Sequence, residues 1–302
     1  MYLDLRFKFV VAIFALLICL AGASVAPAQE DEEKSIKAEV FIKDRPGAPT
    51  RNPSAGKYKP AAKATTQDAA TPPPGSNFVQ VGVTMWRFRP TKTGDQTKEL
   101  VEEDEAGPTE WTLERIEDGT PLAPGQRVRL SVESLNRTGF LYVIDREQYA
   151  DGTLGDPMLI FPTQKSRDAN YVQPGRLTYI PSATGKFRIK PTEGPKVHVG
   201  EVVTILVSAR QLINPDQLGP KGLKLTRQQV ELWEKQWGAR ATRFDFDGGA
   251  GQAMTEKEQA AAANNAPALT QNDPKPQTVY RVAIKPENPV IVSVPLKFRQ
   301  QN

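Results

Sequence analysis

The sequence predicts a mainly β protein: an antiparallel β-sandwich, Ig-like or jelly-roll-like, with a short helical insertion near the C-terminus. Three observations carry that expectation. From Phe78 onward apolar and polar residues alternate with a period of two, the signature of strands with one face buried. The alternating runs are short and separated by Gly-containing turn pairs, Asp118-Gly119, Pro124-Gly125, Asp151-Gly152, Pro174-Gly175 and Thr184-Gly185. Helical periodicity is confined to one stretch late in the chain. Many short strands with regular turns suit a sandwich or barrel better than a βαβ protein.

The elements follow in order. Val79, Val81, Val83 and Met85 alternate with Gln80, Gly82, Thr84 and Trp86, and Trp111, Leu113 and Ile116 mark a second strand. Val128, Leu130 and Val132, alternating with Arg127, Arg129 and Ser131, form the clearest one. Further runs are 139–145 (GFLYVID), 158–161, 177–180, 187–189 and 199–207 (VGEVVTILV). The insertion is expected at about 211–270. Thr226 and Gln229 fit a capping box, with Leu225 and Val230 as a hydrophobic staple. Val230, Trp233 and Trp237 share a helical face, and Gly238 ends it. A second box, Thr255 to Glu258, opens an alanine-rich stretch. Two last strands, 278–284 and 290–296, should complete the sheet begun at Phe78, which makes 77–302 one domain.

Two segments precede that domain. Residues 1–28 read as a secretory signal peptide: Arg6 and Lys8, then the apolar run 9–20, then small residues at Ala26 and Ala28. Cleavage is expected after Ala28, with Ala23 as the alternative. The other reading is an uncleaved anchor, because 9–28 could just cross a bilayer; Gly22, Ser24 and Pro27 weaken it. The chain is therefore expected to be exported, periplasmic or extracellular, with no transmembrane span after cleavage. Residues 29–76, opening on Glu30-Asp31-Glu32-Glu33 and then rich in Pro, Ala, Lys and Thr, read as a disordered leader.

Composition narrows the chemistry. The single cysteine, Cys19, lies in the signal, so the expected mature chain has no disulfide, thiolate metal site or cysteine nucleophile. The net charge of +4 lacks the clustered basic face that a phosphate backbone needs, so nucleic acid is not an expected partner. The lone histidine, His198, has no acid partner evident in sequence, and no Gly-x-Ser-x-Gly elbow occurs. The Gly248–Gly251 loop lacks the trailing lysine of a phosphate-binding loop and reads as a connector.

The densest acidic cluster is Asp145, Glu147, Asp151 and Asp156. Converging carboxylates could hold calcium, although the spacing fits no EF-hand, and no other cofactor is expected. Two of them could act as acid and base on a glycoside. The plainer alternative is a wide hairpin with a turn at Asp151-Gly152 and its acids in water. Trp86, on the polar register of its strand, or Tyr149 could cover a ligand held there. Trp233 and Trp237 are most simply the face docking the insertion. Lys186, Arg188 and Lys190 share a strand face and either receive an anionic ligand or protect an edge from pairing.

Three stretches carry a resemblance. The runs 81–87 (VGVTMWR), 127–134 (RVRLSVES) and 139–163, above all LYVIDREQYADG, resemble the bacterial family called domain of unknown function 4384. Residues 201–204, 233–239 and 273–280 are similar to its exported single-domain members. The resemblance spans 78–297 and is weaker over 181–198. It implies an exported β domain with an accessory, recognition-type role, and it brings no catalytic residues. The leading expectation is a non-catalytic binding domain of the cell envelope whose partner is an envelope protein or glycan. An envelope-polysaccharide hydrolase using paired carboxylates and a purely structural, oligomeric protein are the alternatives.

Overall fold

The computed structural model describes residues 45–47, 62–65, 77–103, 107–246, 249–263 and 267–299, which fall within one compact unit, Ser35–Asn302. The expected signal peptide lies outside the described residues. The strands are β1 Ala62–Thr65, β2 Asn77–Pro90, β3 Glu99–Glu103, β4 Gly107–Ile116, β5 Arg127–Ser134, β6 Gly139–Tyr149, β7 Met158–Phe161 and β8 Tyr171–Val172. They continue with β9 Thr178–Ile180, β10 Phe187–Arg188, β11 His198–Ser208, β12 Leu223–Lys224, β13 Ala241–Phe246, β14 Thr278–Ile284 and β15 Val290–Lys297. Two α-helices are described, α1 Arg227–Trp237 and α2 Glu256–Ala260.

The strands form two antiparallel sheets facing each other, so the sandwich expected from the sequence is the fold. The larger sheet runs β1-β13-β14-β2-β4-β3, with β5 also on β2 and carrying β9 and β10. The smaller runs β12-β7-β6-β11-β15, with β8 on β6. Every second residue of each sheet enters the core between them: Val79, Val81, Val83, Leu130 and Val132 from one, Leu141, Val143, Val203, Ile205 and Val207 from the other.

Both outer faces are covered as well. On the smaller sheet Tyr142, Ile144, Leu206 and Ile291 pack under Val230 and Trp233 of α1, with Trp237 stacked on Trp233 at 5.8 Å. The helix docks by the stripe the sequence indicates. Burial on two faces also accounts for the unbroken apolar reading of 139–144 and 203–207. On the larger sheet Trp86, Phe88 and Leu113 lie beneath Met254, Ala261 and Leu269.

That second cover corrects several expectations. Trp86 is on the outer register but is 0% exposed, with its indole Nε1 donating to Ser131 Oγ at 2.9 Å. Arg129, expected on a solvated face, is buried and fork-paired to Glu99 at 2.6 and 2.8 Å. The insertion is not only helical: β12 and β13 lie within 211–270, and β13 joins β14 in the larger sheet. The final two strands divide, β14 pairing with β2 but β15 with β11 across the sandwich. Nor is the leader wholly outside the domain. β1 pairs with β13, Ala62 opposite Phe246 through Thr65 opposite Arg243, and Arg45 is buried against Glu133. No described helix is long and apolar enough to cross a membrane.

Candidate functional site

The polar residues of the inter-sheet core gather at one end of the sandwich, where β6 and β11 run antiparallel. The register sets Asp145 opposite Val203 and Glu147 opposite Glu201. Side chains alternate across a strand, so Asp145, Glu147 and Glu201 point the same way as Val143, Val203 and Ile205, into the space between the sheets. The apolar series is replaced there by carboxylates.

A bulge adds a histidine. The β6–β11 register slips between His198 and Gly200, an extra residue that reverses alternation and brings His198 onto the side of Glu201. Glycine is required at 200, since a Cβ there would stand 2.1 Å from the Leu296 carbonyl oxygen. The His198 side chain is 1% exposed, with Nε2 3.2 Å from Glu201 Oε1. Its Nδ1 accepts the Thr192 backbone N–H at 2.9 Å, which leaves the ring hydrogen on Nε2, directed at the Gly200 carbonyl (2.8 Å) and Glu201. Phe298 packs against the ring at 4.9 Å between centroids. The acid partner that the sequence does not reveal is three residues away, aligned by the bulge.

The carboxylates are held unequally. Glu147 accepts from the hydroxyls of Tyr149 and Thr192; burial opposes its ionisation, but these hydrogen bonds and His198 bring its pKa below the usual value. Tyr149 is raised by the same contact with Glu147. Asp145 and Glu201 are raised, in both cases chiefly by burial. Glu147 adds repulsion at Asp145, and Asp145 and Glu147 add it at Glu201. Among the described residues Asp145 Oδ1 and Glu201 Oε2 have no hydrogen-bond partner although both are buried, a costly arrangement for acceptors.

Asp145 and Glu201 form one wall of a cavity of about 160 Å³. Met85, Val128, Leu130, Ile160, Phe187 and Val203 supply apolar surface, and Arg188 and Lys190 line it as exposed residues. Lys186, Arg188 and Lys190 are exposed on a short strand that pairs through Phe187–Arg188 and is continued by Ile189 hydrogen bonds to Gly125 and Gln126, while Phe187 and Ile189 turn inward.

Only part of the predicted cluster converges. Asp145, Glu147 and Tyr149 come together. Asp151 lies at the exposed hairpin turn, accepting from Thr153 and paired with Lys196 at 2.9 Å, and Asp156 pairs with Lys224 and Arg227 at 3.1 and 2.8 Å. Trp86 is on the outer face of the opposite sheet and cannot share a ligand with Asp145. Among the described residues no group of three or more His, Cys, Asp or Glu side chains is placed to hold a metal ion, and Asp151 and Asp156 are turned to cations of the protein instead. Sequence reasoning misses Glu201 and sets His198 aside for want of an acid partner. The signal that could have found Glu201 is an acid opening an otherwise apolar run.

No protein-family model, curated protein or solved structure matches the chain.

Proposed function

We propose that this is a non-catalytic binding domain of the bacterial cell envelope, exported by its N-terminal segment, whose site is the inter-sheet cavity beside Asp145 and Glu201. The ligand class is a small amphipathic molecule with an apolar body and a hydrogen-bond-donating head, an amine above all. One observation carries the reading: two inward carboxyl groups each present a buried oxygen without a partner at the wall of an apolar cavity. Concave apolar sites with a few convergent polar groups are the usual form of small-molecule pockets. The resemblance to domain of unknown function 4384 accords with an accessory recognition role.

Calorimetric titration of the full chain with n-alkylamines of increasing length, beside the matching alcohols and carboxylic acids, tests this. Amines should bind most tightly, alcohols more weakly and acids least. Because Asp145 and Glu201 have raised pKa values, pairing with an ammonium draws protons off them; amine affinity should rise with pH above the ordinary carboxyl range and binding should release protons. Asp145→Asn with Glu201→Gln should abolish the preference for amines. Equal affinities for all three head groups, or binding that ignores the double substitution, would remove the site from consideration.

A second reading, hydrolysis of envelope polysaccharide, draws support from the same raised carboxyl pair, since an acid kept protonated near neutral pH is what glycoside cleavage uses. Release of reducing ends from cell-wall glycan, lost in Glu201→Gln, would favour it over simple binding.

A further inference from the structure

A fully satisfied buried cation comes from the expected leader. Arg45 reaches across to Glu133 on the outer face of β5, and both side chains are 1% exposed. A guanidinium has five N–H donors in a flat fork, and here each has an acceptor. Nε donates to Glu133 Oε1 at 2.7 Å and Nη2 to Oε2 at 2.6 Å. Nη2 also donates to the Pro274 carbonyl at 3.1 Å, and Nη1 to those of Thr270 and Asp273 at 3.2 and 3.3 Å.

The acceptors are positioned by the domain, not by the arginine. Glu133 is fixed in the β2–β5 ladder opposite Gly82. The 270–274 turn is shaped by the Asp273 carboxylate, which accepts from the Thr270 N–H at 2.6 Å and hydroxyl at 2.8 Å and is paired with Lys257. Gly175 makes room for the residue after Arg45: a Cβ there would meet Pro46 Cδ at 3.2 Å and the Leu269 carbonyl oxygen at 2.6 Å. A bidentate carboxylate facing a fork, flanked by carbonyls for the remaining hydrogens, matches the planar geometry of a guanidinium. An ammonium, with three donors on a point charge, would leave acceptors unmatched.

We propose that Glu133 and the carbonyls of Thr270, Asp273 and Pro274 constitute a guanidinium-binding site, which Arg45 fills in cis and which accepts a free alkylguanidinium once that side chain is removed. Residues 45–47 are thereby latched to the domain by a ligand–receptor contact, and the site is independent of the cavity beside Asp145.

The test is chemical rescue in the full chain. Arg45→Ala retains the Cβ, so ethylguanidinium supplies the missing atoms. Millimolar ethylguanidinium should raise the Tm of R45A towards that of the parent, leave the parent unchanged and fail to rescue R45A/E133Q; ethylamine should rescue neither. An R45A chain that melts with the parent, or whose Tm ignores ethylguanidinium, overturns the proposal. If R45A does not fold, the parent itself answers by NMR: the Arg45 Nε–H and Nη–H protons should give separate, slowly exchanging signals. A single, rapidly exchanging set would show that the guanidinium is not held.

Discussion

Glu133 on the larger sheet and the Asp145–Glu201 pair on the smaller one are buried acids of the same sandwich, and the protein treats them in opposite ways. Glu133 meets a bidentate arginine whose every N–H is accepted. Burial keeps its pKa above the ordinary value, with Arg45 pulling against that shift. Among the described residues Asp145 and Glu201 have no arginine within ion-pair distance, although Arg188 and Lys190 line the same cavity; they repel each other and Glu147, and keep one unpartnered oxygen apiece. Burying charge costs several kcal/mol unless it is paired, so each arrangement persists for a reason. At Glu133 the completed hydrogen bonds are that reason, and the result is a fastening. At Asp145 and Glu201 the uncompensated cost, beside a cavity, marks a place suited to a donor from outside.

The largest effect should come from breaking the compensated site. Arg45→Ala leaves Glu133 buried without its counter-ion, keeping the Gly175 backbone N–H, a loss of about 3–5 kcal/mol, measured by urea unfolding of the full chain. Removing both partners, Arg45→Met with Glu133→Leu, should return most of that loss, because the penalty belongs to the orphaned carboxylate rather than to the absent ion pair. A double variant as unstable as R45A would mean that the carbonyls of Thr270, Asp273 and Pro274 carry more of the cost than Glu133 does.

The second effect has the opposite sign. At the uncompensated site, Asp145→Asn with Glu201→Gln removes two carboxyl groups from a setting that resists their ionisation and should stabilise the domain by about 2 kcal/mol at mildly alkaline pH. The pH dependence gives the sign a check. A carboxyl group whose folded pKa is raised binds more protons folded than unfolded, so its contribution is complete below the ordinary carboxyl range and is lost as pH rises through the folded value. The parent should therefore weaken as pH climbs from about 4, and the double variant should show a flatter curve over that interval. Parallel curves would mean that both acids are already compensated.

The compensated site was the less legible of the two. Period-two alternation located β2, β5, β6 and β11, and the capping box with the Val230–Trp233–Trp237 stripe located α1 and the face it docks, because each signal is local. Alternation says that a strand has two different faces, but not whether the second is wet. Trp86 is covered by a segment more than 100 residues later in the chain, Arg129 by Glu99 and Glu133 by Arg45, and no nearby pattern announces these partners. Arg45 was hidden in a stretch whose average composition suggested a tether, since a single fully paired arginine leaves no compositional trace. Of the other site, Asp145 and Glu147 were legible as acids in one strand. Glu201 and His198 were not, because their place depends on the β6–β11 register and on a bulge at Gly200.

The smallest effect separates burial from mere acidity. Asp151 belongs to the same stretch of sequence as Asp145, yet it sits at an exposed turn, paired to Lys196, with its pKa held down to about 2 first by the Thr153 hydroxyl and then by that lysine. Water already satisfies such a group, and ion pairs between exposed side chains contribute little. Asp151→Ala should leave the Tm and the amine affinity of the chain unchanged, measured alongside the Asp145–Glu201 double variant. A loss of affinity in D151A would shift the site from the inter-sheet cavity to the hairpin tip, and the contrast between satisfied and unsatisfied acids would then no longer mark where this domain binds.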